Sequence, residues 1–207
     1  MLSSISPVGE ASRGQRWSVT ATAYTLGSTL GGALVGAALG GLGRWISSSL
    51  TVEPATVTTT SLAVLAAALL AGAAVDARLV GVRLAGWSRQ VDERWLTSYR
   101  GWVYGAGYGV QLGTGILTIV STTAVYATLL AAALSASVAT GAAIGAGFGA
   151  VRAVPLLSTA RVRNPEELRR LHARIEQLAP RVARLTVGSL VVLGVLALAL
   201  AIAGARP

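Results

Sequence analysis

The segment that decides the fold is GWVYGAGYGVQLGTGILTIVSTTAVYATLLAAALSASVATGAAIGAGFGAV, residues 101–151, which has no charged side chain between Arg100 and Arg152. About 20 apolar helical residues cross the hydrocarbon core of a bilayer, so this segment is long enough to cross it twice. Water-soluble domains do not contain uncharged runs of this length, because about 25% of their residues are charged. The segment therefore predicts an all-α membrane protein with several spans.

The composition of the whole chain agrees with this prediction and excludes several classes of function. Only 12% of the residues are charged and 53% are hydrophobic, with a mean hydropathy of +0.64. The absence of cysteine excludes disulfides, thiolate metal sites and thiol redox chemistry, and a single histidine excludes a multi-histidine metal site. The sequence contains no set of catalytic residues and no cofactor site, so we predict that the protein is not an enzyme.

Five apolar segments are long enough to be membrane spans. We therefore predict a polytopic helical bundle that forms a single transmembrane domain over residues 1–207, as a multi-pass protein of the bacterial cytoplasmic membrane. The predicted spans are residues 18–43, 56–75, 103–133, 137–157 and 185–204.

The basic residues predict the orientation of the chain. The net charge of +9 comes mainly from three arginine clusters, located before the first span, between the second and third spans, and between the fourth and fifth. With five spans all three clusters lie on one side, and the positive-inside rule assigns that side and the N-terminus to the cytoplasm. The charge therefore indicates contact with the anionic cytoplasmic leaflet of the lipid bilayer rather than with nucleic acid.

The third segment, residues 103–133, is too long for a simple span. At about 1.5 Å per residue, a continuous helix of that length exceeds the hydrocarbon thickness of about 30 Å. Glycine is frequent from Gly105 to Gly115, around Gln111, and glycine permits unwound backbone. We expect a break in that region, and a break that divides the segment would raise the count to six spans.

Two cytoplasmic amphipathic helices are also predicted. The first covers about residues 86–100, where aromatic side chains recur at helical spacing, as is typical of helices at the lipid–water interface. Its membrane-interface residues, with one from just before the next span, are Trp87, Trp95, Tyr99 and Trp102.

The second amphipathic helix covers about residues 165–178, with Asn164 as its N-cap and Pro165 at the first helical position. His172 lies at the edge of its apolar stripe. The stripe fits the membrane surface, the helix bundle or a partner protein, and the sequence does not decide between them. Its members are Leu168, Leu171, Ile175 and Leu178.

Glycine recurs at four-residue spacing in the first and fourth spans. In a bilayer, small residues allow two helices to approach closely and gain packing contacts. We therefore predict tight packing among spans 18–43, 103–133 and 137–157. The predicted packing residues are Gly27, Gly31, Gly36, Gly40, Gly141, Gly145 and Gly149.

Polar side chains follow one face of segment 103–133. Polar groups are costly against lipid, so this face should contact protein or water. It fits either structural hydrogen bonds or a path for a solute or ion. The path candidates, with two contacts from the first span, are Gln111, Thr114, Thr118, Ser121, Thr122, Tyr126, Tyr24 and Ser28.

Residues near the cytoplasmic ends of the second and fourth spans fit either a gate or interfacial anchors. No carboxylate falls within a predicted span, so coupling to protons or sodium through a buried carboxylate is not expected. The gate candidates are Asp76, Arg78, Arg152 and Pro155.

Two stretches resemble a family of transporters. Residues 16–27, RWSVTATAYTLG, followed by a glycine-spaced helix, are similar to the second helix of the LysE-type exporters and the cytochrome c biogenesis (DsbD-like) thiol carriers. Residues 101–155 resemble their fourth and fifth helices. The resemblance implies two inverted repeats of three helices, with functional groups at breaks in the first and fourth helices.

This chain departs from the family pattern in two ways. Residues 1–15 are too short and too polar to supply the first helix. The proline–cysteine pair of the thiol carriers is also absent, since the matching residues Gln111 to Gly115 read QLGTG. The resemblance therefore implies a small-solute or ion exporter, or a descendant that has lost transport, and not a thiol electron carrier.

Two functions are consistent with these patterns. The first is a small-solute or ion permease or exporter with a polar path along the broken segment 103–133. The second is a non-transporting membrane subunit or assembly factor that docks a partner through its glycine faces and cytoplasmic helices. In either case we expect a homo-oligomer or a membrane partner chain.

Overall fold

A computed structural model of the chain describes residues 5–82, 94–115 and 122–205. The prediction of an all-helical protein is confirmed for these ranges, which contain no strand. In chain order the elements are α1 (Pro7–Ser12), α2 (Trp17–Ser49), α3 (Pro54–Asp76), α4 (Trp95–Ser98), α5 (Gly101–Gly113), α6 (Ala124–Leu134), α7 (Val138–Leu157), a 3₁₀ turn (Ser158–Arg161) and α8 (Pro165–Gly204).

Four helices in the described ranges are long and apolar enough to cross a membrane. They are α2, with 33 residues, α3, with 23, α7 with its 3₁₀ turn, with 24, and α8, with 40. At about 1.5 Å per residue, each exceeds the hydrocarbon thickness of about 30 Å. The chain therefore has the helices of a membrane protein.

Segment 103–133 is not one helix. Its described parts are α5, with 13 residues, and α6, with 11, and each is shorter than about 20 Å, too short to cross the hydrocarbon core alone. The predicted position of the break is wrong in part, because Gly105 to Gly113 are helical. The helix ends at Gly113, and Gly115 has a left-handed φ of 72° that favours glycine.

The chain falls into two compact units. Unit 1 comprises Met1–Val35, Gly86–Ile119 and Gly145–Ala179. Unit 2 comprises Gly36–Ala85, Val120–Ile144 and Pro180–Pro207. The boundaries fall inside α2, α7 and α8, so each of these helices contributes to both units.

Unit 1 is held together by close backbone contact between α2 and α5. Gly105, Gly109 and Gly113 of α5 lie against the carbonyl oxygens of α2 residues that are also four positions apart. A Cβ at Gly105 would lie 2.6 Å from the Thr20 oxygen, and one at Gly109 or Gly113 would overlap an oxygen outright. The close contact between α2 and α5 therefore requires glycine at these positions. Their role is in helix packing and not in unwinding. The carbonyl oxygens belong to Thr20, Tyr24 and Ser28.

The core of unit 1 is aromatic and includes the N-terminal helix. Tyr104 and Ile5 have no exposed surface, and Tyr24 and Tyr108 are nearly as buried. Ile5 precedes α1, whose N-cap Ser6 accepts a hydrogen bond from the Gly9 N–H at 3.1 Å. The start of the chain is therefore an integral part of the unit 1 core.

Unit 2 joins α3, α6 and the C-terminal part of α8. Its core contains Leu69, Ala73, Ala127 and Leu190. A Cβ at Gly194 of α8 would lie 2.9 Å from the side chain of Leu70, so the small residue brings α8 against α3.

The two predicted cytoplasmic helices, at about residues 86–100 and 165–178, differ in extent from the helices of the structure. In the described part of residues 86–100, the helix is the single turn α4, and Tyr99 is extended with φ −125° and ψ 161°. The helix predicted to end near residue 178 continues to Gly204 with Pro180 inside it. A proline removes one backbone hydrogen bond without necessarily ending a helix whose other residues favour it.

The helix α8 begins at the residues predicted from the sequence, with Asn164 as N-cap and Pro165 as the first helical residue. The Asn164 side chain accepts a hydrogen bond from the Glu167 N–H at 2.8 Å, and the Glu167 carboxylate accepts one from the Arg163 N–H at 2.7 Å. This reciprocal capping satisfies two backbone N–H groups at the helix start.

Candidate functional site

Unit 1 contains a fully buried carboxylate, that of Glu10. One oxygen accepts a hydrogen bond from Arg13 Nη2 at 2.6 Å, and the other accepts one from the Thr20 hydroxyl at 2.6 Å. The Tyr104 hydroxyl lies 2.6 and 2.7 Å from the two oxygens. We call Glu10, Arg13, Thr20 and Tyr104 the Glu10 cluster.

Two glycines allow the chain to form this cluster. Gly14, with a left-handed φ of 67°, follows α1 where the chain turns towards α2. Gly101, at the start of α5, lies so close to the Thr20 hydroxyl that a Cβ there would overlap it. The Gly101 N–H donates to Gln15 Oε1 at 3.0 Å, which attaches α5 to the same turn.

The charges of the Glu10 cluster compensate each other. Burial alone would lower the pKa of Arg13, but its hydrogen bonds with Glu10 and Tyr104 hold that pKa above its usual value. The guanidinium also lies 5.9 Å from the centre of the Tyr104 ring. The contacts of this carboxylate hold α1 against α2 and α5. Removal of any partner would leave a buried charge less well compensated in a medium of low dielectric constant.

The sequence did not predict the Glu10 cluster. The prediction about carboxylates concerned only those within the predicted spans, and Glu10 lies outside them and yet is buried. The one local signal is the spacing of Glu10 and Arg13, three residues apart, which is common for ion pairs on a helix. Nothing in the sequence connects them to Tyr104.

Two of the path candidates, Tyr24 and Ser28, are packing residues. Tyr24 is 3% exposed and Ser28 is completely buried. The Ser28 hydroxyl donates to the carbonyl oxygen of Gly149 at 2.7 Å, and Gly109 and Gly113 press against the same stretch of α2. Both residues therefore contribute to the contacts of α2 with α5 and α7.

The remaining path candidates divide between the two units. In unit 1, Gln111 and Thr114 are half-buried at the end of α5, and the Thr114 hydroxyl donates to the Gln111 carbonyl at 2.9 Å. In unit 2, Thr122 accepts from the Ala124 N–H at 2.9 Å, and Tyr126 is 39% exposed. Thr118 and Ser121 lie outside the described residues.

The gate candidates also divide between the units. In unit 2, both carboxylate oxygens of Asp76 accept from the Thr123 N–H, at 3.0 and 3.1 Å. Asp76 thus caps the start of α6 from the end of α3, a position where the helix dipole favours negative charge. Arg78, two residues on, is exposed with a left-handed φ of 59°.

In unit 1, the guanidinium of Arg152 lies 5.3 Å from the centre of the Phe148 ring. Pro155 is an exposed residue inside α7. A gate formed by all four residues stays a prediction.

The glycine faces are occupied inside the chain. In unit 1, Gly27 and Gly31 lie against Ala106 and Val110 of α5, while Gly145 and Gly149 of α7 lie against α2. In unit 2, Gly36 and Gly40 lie against Gly141. Each contact is so close that an added Cβ would strike backbone, so these faces are not open to a second protein.

The interface aromatics differ in environment. Trp95 stacks on Tyr108, with ring centres 5.8 Å apart and an interplanar angle of 16°, and it covers Gly107. Tyr99 and Trp102 are 53% and 55% exposed, and their place at a membrane interface stays a prediction. Trp87 lies outside the described residues.

Unit 2 contains an apolar groove of about 380 Å³ between α2, α3 and α6. Its lining is uncharged, and includes Leu42, Ile46, Val57 and Leu134. The residues described here contain no group of three or more acidic, histidine or cysteine side chains that could hold a metal ion.

Comparison with family models, with curated proteins and with solved structures found no match for this chain.

Proposed function

We propose that this chain is a small-solute or ion permease of the cytoplasmic membrane, with its N-terminus in the cytoplasm and a polar path beside Gln111 and Thr114. The observation that carries the proposal is the division of an uncharged apolar segment into α5 and α6. Non-helical backbone at membrane depth is tolerated only where it is buried in protein or lines a water-filled cavity. Interrupted helices of this kind form the binding sites of many transporters.

The end of α5 has groups suited to a polar solute. The Gln111 amide carries two donors and one acceptor, and the last carbonyl groups of a helix carry partial negative charge. These groups favour a cation or a hydrogen-bond donor as the transported species. The pattern of residues 101–155, which resembles the fourth and fifth helices of the LysE-type exporters in the sequence alone, is consistent with this proposal.

Osmotic and electrical flux assays on proteoliposomes test the proposal without a known substrate. For urea, glycerol, glycine and arginine, vesicle shrinkage and recovery would be followed by light scattering. Fluxes of sodium, potassium and chloride would be followed with a potential-sensitive dye. We expect at least one of these probes to cross faster than in protein-free vesicles. The combined substitution Gln111→Leu and Thr114→Val removes groups worth about 1 kcal/mol each and should slow that flux roughly 30-fold.

A matched control separates the path from general damage. The Thr25 hydroxyl donates only to its own helix, to the Ala21 carbonyl at 2.9 Å, so Thr25→Val should leave the flux unchanged. Equal rates in the wild type and the double variant would disprove the path. Absence of flux for every probe in the wild type would disprove transport itself.

A second candidate, a non-transporting membrane subunit, is favoured by the close packing in unit 1. Tyr24 and Ser28 are buried, and backbone of α5 and α7 lies against the same stretch of α2. In this case the partner would have to dock on surfaces other than the glycine faces. Wild-type vesicles without flux, together with a membrane protein that copurifies in constant ratio, would favour this function over transport.

A further inference from the structure

The longest helix, α8, carries an apolar stripe with the spacing of a coiled coil. Successive positions alternate by three and four residues over four heptads, which is the pattern of paired helices. Only the serine in this series is polar. We call the series the α8 seam: Leu168, Leu171, Ile175, Leu178, Val182, Leu185, Ser189, Val192 and Leu196.

The α8 seam is uncovered from Ile175 onwards. Exposure rises from 37% at Ile175 to 57% at Val182 and 71% at Leu185. The face of α8 that packs on unit 2 is a different one and includes Leu190 and Gly194. Within the described part of the chain, these seam side chains are therefore left exposed over several turns.

The part of the seam before the apolar span lies among charged residues. Arg174, Glu176, Arg181 and Arg184 occupy other faces of the helix, a pattern that favours water around this part of α8. Apolar surface exposed to water costs about 25 cal/mol per Å². α8 is one helix from this part into its span, so the seam keeps its helical register along both.

We propose that the α8 seam pairs with the same seam of a second copy of this chain in a parallel two-stranded coiled coil. From Ile175 to Leu185, the a positions hold Ile175 and Val182, and the d positions hold Leu178 and Leu185. The other a positions of the seam hold Leu168, Ser189 and Leu196, and the other d positions hold Leu171 and Val192. A β-branched residue at a with leucine at d favours parallel dimers. Two copies inserted in one membrane with the same orientation have their α8 helices parallel and level, so each position meets its own counterpart.

The flanking residues are compatible with this pairing. At the g positions, Arg174 and Arg181 would face Ala179 and Thr186 of the second copy, so no like charges oppose each other. Ser189 continues the seam into the span, where a small residue allows close approach. Pro180 lies at an f position on the opposite face, so its missing N–H does not interrupt the seam.

Single-cysteine crosslinking in native membranes tests this proposal directly. The chain has no cysteine, so an introduced thiol is the only one present. Cysteines would be placed at seam positions 175, 178, 182 and 185 and, as controls, at Gln177 and Ala183. Mild oxidation should convert each seam variant from the 20.9 kDa chain to a disulfide-linked species of twice that mass, because facing seam residues fall within disulfide range. The controls should remain monomeric.

Other outcomes would overturn the proposal. In an antiparallel pair, only a cysteine near the centre of the paired segment would crosslink to its counterpart. A different partner protein would give a crosslinked species of another mass. Absence of crosslinking at all four seam positions would mean that no second copy covers the seam.

A second measurement does not depend on disulfide chemistry. Val182→Glu should shift the detergent-solubilised protein from two chains to one in light scattering, whereas Ala183→Glu should not. Equal helix content by circular dichroism shows that both variants are folded. A dimer that survives Val182→Glu would contradict the proposal.

Discussion

The hydroxyl of Tyr104 lies 2.6 Å from a carboxylate oxygen of Glu10, although the two residues are 94 positions apart in the chain. Both side chains are completely buried. A buried charge is stable only when it is paired and hydrogen-bonded, so this contact fixes the position of α1 against α5. The N-terminal segment, polar and too short to be a span, is thereby part of the packed structure of unit 1.

The first prediction is that Glu10→Gln lowers the free energy of unfolding by about 3 kcal/mol. The substitution leaves Arg13 without its carboxylate partner beside a buried site. The measurement is unfolding in mixed detergent micelles, followed by tryptophan fluorescence. Glu166→Gln is the matched control, because it also removes an arginine pair, at 2.6 Å, but an exposed one. It should cost no more than about 1 kcal/mol.

Tyr104→Phe tests the hydroxyl alone, since the ring and its packing are kept. Hydrogen bonds to charged groups contribute about 2 kcal/mol, and the loss should be of that size. Tyr126→Phe, at an exposed position, should have almost no effect. In a double-mutant cycle, Glu10→Gln and Tyr104→Phe together should cost less than the sum of the two. Strict additivity would mean that the contact contributes nothing to stability.

Local patterns predicted local structure well. The start of α8 follows from Asn164 and Pro165, whose capping role depends only on the next few residues. The uncharged run of residues 101–151 likewise indicates helices in lipid, because that inference needs only composition and length.

Contacts between distant residues were not predictable in the same way. The frequent glycines of α5 predict a site of unwinding from the sequence alone, because the sequence does not show that the carbonyl groups of Thr20, Tyr24 and Ser28 lie beside them. The Glu10 cluster was missed because Tyr104 is remote along the chain. In both cases the residues could be recognised in the sequence, but their structural role depends on which helix packs against them.

The helix contact of α5 gives a third prediction. Gly109→Ala should destabilise the protein by more than about 2 kcal/mol, because the new methyl group meets backbone atoms of Tyr24 and Ser28, which cannot move aside as a side chain would. Gly147→Ala is the control within α7, where a Cβ meets nothing within 4 Å. It should stabilise the protein by up to about 1 kcal/mol through helix propensity. Similar effects at the two positions would argue against the backbone contact.

The fourth prediction concerns the cap that Asp76 provides for α6. Asp76→Ala removes both acceptors of the Thr123 N–H and should cost about 1–2 kcal/mol, with faster amide hydrogen exchange at Thr123. Asp76→Asn keeps one oxygen in place and loses only the charge next to the helix start, so its cost should be less than half as large. Hydrogen exchange measured by mass spectrometry on peptides covering α6 separates the two variants. Equal exchange in Asp76→Ala and the wild type would mean that the start of α6 is held by other contacts, whereas equal costs for Asn and Ala would assign the stabilisation to charge instead of the hydrogen bond.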